Sequence, residues 1–149
     1  MRLERGVARV VLGTAAYENP ELVKKAVKLY NASIAVGIDA RDGFVAVRGW
    51  ADKTQITPIE LACRMMDAGV TTIIYTDIAR DGMLTGPNVA AIREMVRKTG
   101  LQVIASGGVG NINDIAALKS AGARGVVVGK ALYSGAVKLE EALAMEGED

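Results

Sequence analysis

Five short runs of valine and isoleucine, separated by segments with helical spacing, restrict this chain more than any other feature. They are "ARVVLG" (8–13), "SIAVGID" (33–39), "TTIIYTD" (71–77), "LQVIASGG" (101–108) and "ARGVVVGK" (123–130). Each is continuous rather than alternating, the pattern of strands buried on both faces of a parallel sheet. Parallel neighbours need crossovers, and the intervening segments supply them as helices. "NPELVKKAVKLY" opens with Asn19 as cap and Pro20 in the first turn. "TPIELACRMMDAGV" has Thr57 as cap, Glu60 three residues later and Gly69 as its stop. "GPNVAAIREMVRKTG" uses Asn88 and Gly100, "NINDIAALKSAGA" uses Asn113 and Gly122, and a last helix is expected at about 138–146. The helical Leu and Val positions and the pair Met65–Met66 are assigned to the core.

This alternation predicts an α/β fold with right-handed crossovers. The 149 residues, half of them hydrophobic, suffice for one domain with a substantial core. Five βα units fit either an open doubly wound sheet or part of a (βα)8 barrel. In both, ligands sit beyond the carboxyl ends of the strands. The chemistry-bearing residues cluster there: Asp39, Thr76 and Asp77, Ser106-Gly107-Gly108, and Gly129-Lys130. The loops at the other end, "KTGLQ" and "SAGARG", are short and plain.

Composition removes several function classes. Eighteen Lys and Arg nearly balance seventeen Asp and Glu, so bulk charge selects neither nucleic acid nor an anionic membrane. No apolar run reaches the ~18 residues of a membrane span, and no signal peptide is visible; a cytoplasmic location is expected. The chain contains no histidine, which excludes Ser-His-Asp chemistry and most zinc sites, and no metal or cofactor is expected. Cys63, the single cysteine, lies in an apolar helical segment and reads as a small hydrophobe.

Two glycine turns suggest phosphate binding. "SGGVGN" and "VVVGKALY" each join a strand to a helix, where bare backbone can present N–H groups to an anion. Their place on the last two strands matches the phosphate position common in barrels. "LGTAA", with Gly13 and Thr14, offers a weaker second site. The tetrapeptide Ala-Arg-Asp-Gly also occurs twice, at residues 40–43 and 79–82. Asp-Gly is ordinary turn chemistry, or else two equivalent turns aim carboxylates at one site.

"ARVVLGTAAYENPELV", "VGIDARDGFVAVRGW", "YTDIARDGMLTGPN", "VIASGGVGNINDI" and "GVVVGKALYSG" together resemble the isomerase of histidine biosynthesis that rearranges phosphoribosylformimino-aminoimidazole-carboxamide ribotide from aldose to ketose. The resemblance covers essentially the whole chain and begins just before the family's fourth strand. It implies part of a TIM barrel, strands four to eight, with no counterpart here for the first three units. It also implies an Amadori rearrangement in which an acid opens the ribose ring and a base moves a proton from the sugar C2. By motif, Asp39 and Asp81 are both candidates for the acid, while the family's base, an Asp on its first strand, and its first glycine-rich phosphate turn have no counterpart. Thr76 would hydrogen-bond the substrate, Trp50 would stack on its imidazole, helped by Arg48, and Gly107, Gly108, Gly129 and Lys130 would hold a phosphate. Of the two tetrapeptides, Asp42 is assigned mainly to a turn and Asp81 to the site; Asp77 is given a supporting or turn role.

An isolated chain of this kind is expected to lack useful isomerase activity. The alternatives are the cyclase–synthase of the next histidine-pathway step and a non-catalytic half-barrel that only binds phosphate. Bare edges at the strands of residues 8–13 and 123–130, and an exposed apolar face, predict a homo-oligomer; a flavodoxin-like rearranged sheet is the other way to cover that face.

Overall fold

The computed structural model describes residues 5–146. The five expected strands are present as β1 (Val10–Leu12), β2 (Ile34–Arg41), β5 (Thr72–Asp77), β6 (Gln102–Ser106) and β7 (Gly125–Val127). Each pairs in parallel with the next, from Val10↔Ile34 through Asp39↔Thr76 and Thr76↔Ser106 to Ser106↔Val127. The spatial order β1-β2-β5-β6-β7 is therefore the chain order. A flavodoxin-like order, which places the second parallel strand outside the first, is not observed.

Helices α2 (Pro20–Tyr30), α3 (Pro58–Asp67), α4 (Val89–Thr99) and α5 (Ile112–Ser120) connect these strands, with α7 (Leu139–Ala144) last. Their caps follow from side-chain chemistry. Asn19 accepts from the Leu22 amide, and Asn88 accepts from Ala91. Thr57 and Glu60 form a reciprocal capping box, and the two hydrogen bonds to its carboxylate hold the Glu60 carboxyl below the usual range. The cap of α5 is Asn111 rather than Asn113. Asn111 accepts from the Asp114 amide and Asp114 returns to the Asn111 N–H, a second capping box that outcompetes the later asparagine.

Other elements lay outside the reading of the sequence. Residues 44–53 form an antiparallel hairpin, β3 (Phe44–Val47) and β4 (Asp52–Lys53), rather than an irregular loop. Asp42 and Gly43 both take positive φ between the paired residues Arg41 and Phe44, the type I′ geometry that Asp-Gly favours. Short helices α1 (Thr14–Glu18) and α6 (Lys130–Tyr133) follow β1 and β7.

One sheet face carries the core. Val36, Ile38, Ile73, Tyr75, Val103 and Ala105 are buried against Val23, Leu61, Met65, Ile92, Met95 and Leu118 of the helices. The opposite face carries Val11, Gly37, Ile74, Ile104 and Val127. Ala35 and Thr72 on it are buried, whereas Val11 and Val127 are about half exposed, 49% and 46%. Not every helical apolar residue is core: Met66, Leu22, Leu29, Leu139 and Leu143 are exposed. Met65 and Met66 are adjacent on a 3.6-residue helix, so they point about 100° apart and only the first meets the sheet.

Candidate active site

The carboxyl ends of the strands bring most of the expected residues to one register row. Asp39 pairs with Thr76, Thr76 with Ser106, and Ser106 with Val127. Paired residues of parallel strands point the same way, and this row faces away from the helices, since Ile38 and Ala40 on either side of Asp39 lie in the core. Four strands at ~4.8 Å spacing make the row about 14 Å long.

At its β7 end lies a cavity of about 280 Å³, lined among others by Asp81, Ser106, Gly107, Gly108, Gly129 and Lys130. Both glycine turns therefore share one enclosure, and Asp81 shares it with them. Asp39 is not among its lining residues. The two candidate acids sit in different parts of the site.

The glycines of this cavity differ physically. A Cβ on Gly107 would lie 2.8 Å from the Asp77 carbonyl oxygen, and one on Gly108 would lie 2.4 Å from the Gly86 carbonyl oxygen. Both residues have positive φ and are buried. They are glycine because the end of β5 at Asp77 and the loop of residues 78–88 pack directly on their backbone. Gly129 has φ −99° and an ideal Cβ there meets nothing within 4 Å. No protein atom demands glycine at that position. Gly13 is its counterpart, with φ −99° and ψ −105° against −99° and −102°, likewise open, and likewise preceding a short helix.

The β2 end of the row is organised by the hairpin. The Trp50 indole Nε1 donates to Asp39 Oδ2 at 2.7 Å, so two expected site residues touch each other directly. Arg48, Gly49 and Trp50 all have positive φ, a run of left-handed residues that turns the indole back toward β2. The Arg48 guanidinium bridges Glu18 at 2.8 Å and Asp52 at 3.0 Å, and its backbone amide donates to Thr14 Oγ1 at 2.9 Å. The hydrogen bonds and charge of Glu18, with the charge of Asp52, raise the already high Arg48 pKa. Arg48 and Thr14 thus tie the hairpin to α1 in this structure.

The loop that carries Asp81 is built around Asp77, which sequence placed in a supporting or turn role. Asp77 accepts from the Ala79 amide at 3.1 Å and from Asn88 Nδ2 at 2.9 Å. The second Ala-Arg-Asp-Gly here forms a helical turn, with the Asp81 amide bonded to the Asp77 and Ile78 carbonyls.

Similarity to known proteins accords with this arrangement. A family model described as histidine biosynthesis protein matches residues 1–138. The chain belongs to the histidine biosynthesis protein family. Among its curated relatives, the 1-(5-phosphoribosyl)-5-((5-phosphoribosylamino)methylideneamino) imidazole-4-carboxamide isomerase of Thermoanaerobacter pseudethanolicus is 55% identical over 139 residues, covering 93% of this chain and 59% of the relative. The isomerase of the same name from Desulfitobacterium hafniense is 52% identical, covering 98% and 60%, and that from Syntrophotalea carbinolica is 56% identical, covering 96% and 60%. The chain thus spans about three fifths of the length of these relatives within the histidine biosynthesis protein family. Among the described residues no helix is long and apolar enough to cross a membrane.

Proposed function

We propose that this chain carries the phosphate-holding and acid-bearing side of an aldose–ketose isomerase site acting on a phosphoribosyl-aminoimidazole ribotide. The observation that carries the reading is the single register row Asp39–Thr76–Ser106, with an anion-sized cavity at one end and the chain's only tryptophan at the other. A ribotide presents the same order: phosphate, sugar, heteroaromatic ring. Lys130 and the main-chain N–H groups of the Gly107-Gly108 and Gly129 turns receive the phosphate. Thr76 meets the sugar, and Trp50 meets the imidazole.

Within this reading Asp39 is the acid for ring opening, because it lies beside Thr76 in the row where the sugar would sit. One of its oxygens is occupied by the indole N–H; among the described residues the other carries no donor and is free for the ribose ring oxygen. Asp81 lies at the phosphate cavity, where its carboxylate suits a sugar hydroxyl rather than the anion. Gly13 and Thr14 are a weaker second anion site, since the Thr14 hydroxyl is already engaged by Arg48. The resemblance supplies no base among these residues, and loss of one member of an acid–base pair costs about 10²–10⁴-fold. Turnover of the 149 residues alone is therefore expected to fall at least ~10²-fold below a full-length relative.

The test is titration of the chain with the ribotide while following Trp50 fluorescence, alongside turnover. Saturable quenching that Asp39→Asn alters and Lys130→Ala weakens is the expected result. No change in Trp50 emission at millimolar ribotide would remove the reading and leave simple phosphate binding. The sheet face with Val11, Ile74, Ile104 and Val127 supports a further proposal, that two copies of the isolated chain associate through it.

A further inference from the structure

The two copies of the repeated tetrapeptide share one kind of contact, and it is made by the arginine. The copies have different backbones, a hairpin turn at Asp42-Gly43 and a helical turn at Arg80–Asp81. Yet both arginines turn back on the loop that follows and donate to main-chain oxygens. Arg41 Nη2 donates to the Trp50 carbonyl at 3.0 Å. Arg80 Nη1 donates to the Gly86 and Pro87 carbonyls at 3.0 and 3.2 Å, and its Nε lies 3.7 Å from Asp77 Oδ2. Gly86 is the residue whose N–H donates to the Gly108 carbonyl at 2.9 Å and whose oxygen closes over the Gly108 Cα.

We infer that Arg80 is a positioning residue for the phosphate turn: by gripping Gly86 and Pro87 it presses residues 78–88 onto Gly107-Gly108 and so fixes the amides that receive the anion. Arg41 performs the corresponding task for Trp50. The inference rests on the phosphate reading of the cavity given above. The grip needs a planar fork, because Nη1 serves both carbonyls while Nε faces the Asp77 carboxylate, two nitrogens that only a guanidinium holds in one rigid plane. A lysine keeps the charge but cannot make that set.

Charge and geometry can therefore be separated. Ribose 5-phosphate is titrated into the wild-type chain, Arg80→Ala and Arg80→Lys, with the backbone amide signals of Gly107, Gly108 and Gly129 as the readout. The Arg80 side chain is 42% exposed, so both variants are expected to fold. Positioning predicts that both weaken binding by roughly tenfold, the scale of a lost charge-assisted hydrogen bond, and that Gly86 N–H exchanges faster in both. Wild-type affinity in Arg80→Lys would show that Arg80 acts only by its charge and overturn the assignment, as would unchanged affinity in Arg80→Ala. Absence of any shift in the wild type would overturn the phosphate reading itself, and this inference with it.

Discussion

Glycines 108 and 129 line the same cavity, and substituting each by alanine should have unequal consequences. At Gly108 a Cβ would sit 2.4 Å from the Gly86 oxygen, 2.9 Å from its carbon and 3.0 Å from Arg80 Cβ. The first contact is roughly an ångström too short, and the obstructing atom is backbone that cannot rotate away. Overpacking of this kind costs about 1–3 kcal/mol, and the φ of +88° adds about 1–2 kcal/mol for a residue with a Cβ. The sum, on the order of 2–5 kcal/mol, is a large part of the ~5–15 kcal/mol typical of a domain. At ~2–4 °C per kcal/mol for this size, the melting temperature should drop by about 10 °C. Gly129→Ala meets nothing within 4 Å and should cost less stability than Gly108→Ala. Gly129→Asp should likewise fold, but it should weaken ribose 5-phosphate by at least tenfold, since a carboxylate ~5 Å from the anion costs about 1–3 kcal/mol at intermediate dielectric. Thermal melts by circular dichroism and a ribose phosphate titration on the three variants decide the matter. Equal melting temperatures for Gly108→Ala and Gly129→Ala would refute the packing argument. Unchanged affinity in Gly129→Asp would refute the anion assignment.

Arg41→Ala should free the Trp50 backbone and change the emission maximum or anisotropy of the sole tryptophan; identical spectra would show that the Asp39 bond alone holds the indole. Burial pushes the Tyr75 hydroxyl up to about 12, with Asp77 and Glu94 adding to the shift. A folded pKa raised above the unfolded ~10 gives stability present below pH 10 and lost as pH rises toward 12, up to about 3 kcal/mol. Tyr75→Phe should remove that alkaline loss, as followed by unfolding between pH 9 and 12. The lowered Glu60 pKa has the opposite sign: its cap stabilises α3 above the unfolded value near 4.3 and is lost as pH falls through the folded value, so the gap between wild type and Glu60→Gln should close in melts from pH 7 to 3. Sedimentation at high micromolar concentration should show dimers, and Val127→Lys should weaken them; a monodisperse monomer that binds no hydrophobic dye would end the association proposal.

The strands and most helix caps were legible because their signals are local. Asn19, Thr57 and Asn88 cap the helices expected of them, and continuous Val/Ile runs mark the strands. The α5 cap was misplaced because "NIN" offers two asparagines, and only the reciprocal bond from Asp114 selects the first. The antiparallel strands β3 and β4 were hidden by their shortness, although Asp42-Gly43 between β2 and β3 was an available hairpin signal. For the candidate site, sequence named residues but not their contacts. It gave Arg48 a part in holding the substrate's imidazole but did not foresee its ion pairs with Glu18 and Asp52, the first of which lies thirty residues away. It gave the glycines 107 and 108 one task, phosphate binding, whereas their bareness is required by Asp77 at the end of β5 and by the loop that follows it. Arg41 and Arg80 carried no local signal at all; their roles exist only once the loops have closed.

Chain-order adjacency of the parallel strands also fixes how the molecule should open. Every βα unit leans on the unit just before and just after it, and on little else. Backbone amides in β2, β5 and β6, which have partners along both edges, should therefore exchange most slowly with deuterated water. Protection should fall to β7 on one side and to β1 on the other. Opening should proceed inward from the ends, one unit at a time. A unit could then detach and re-dock while the Asp39–Thr76 pair between β2 and β5 stays closed.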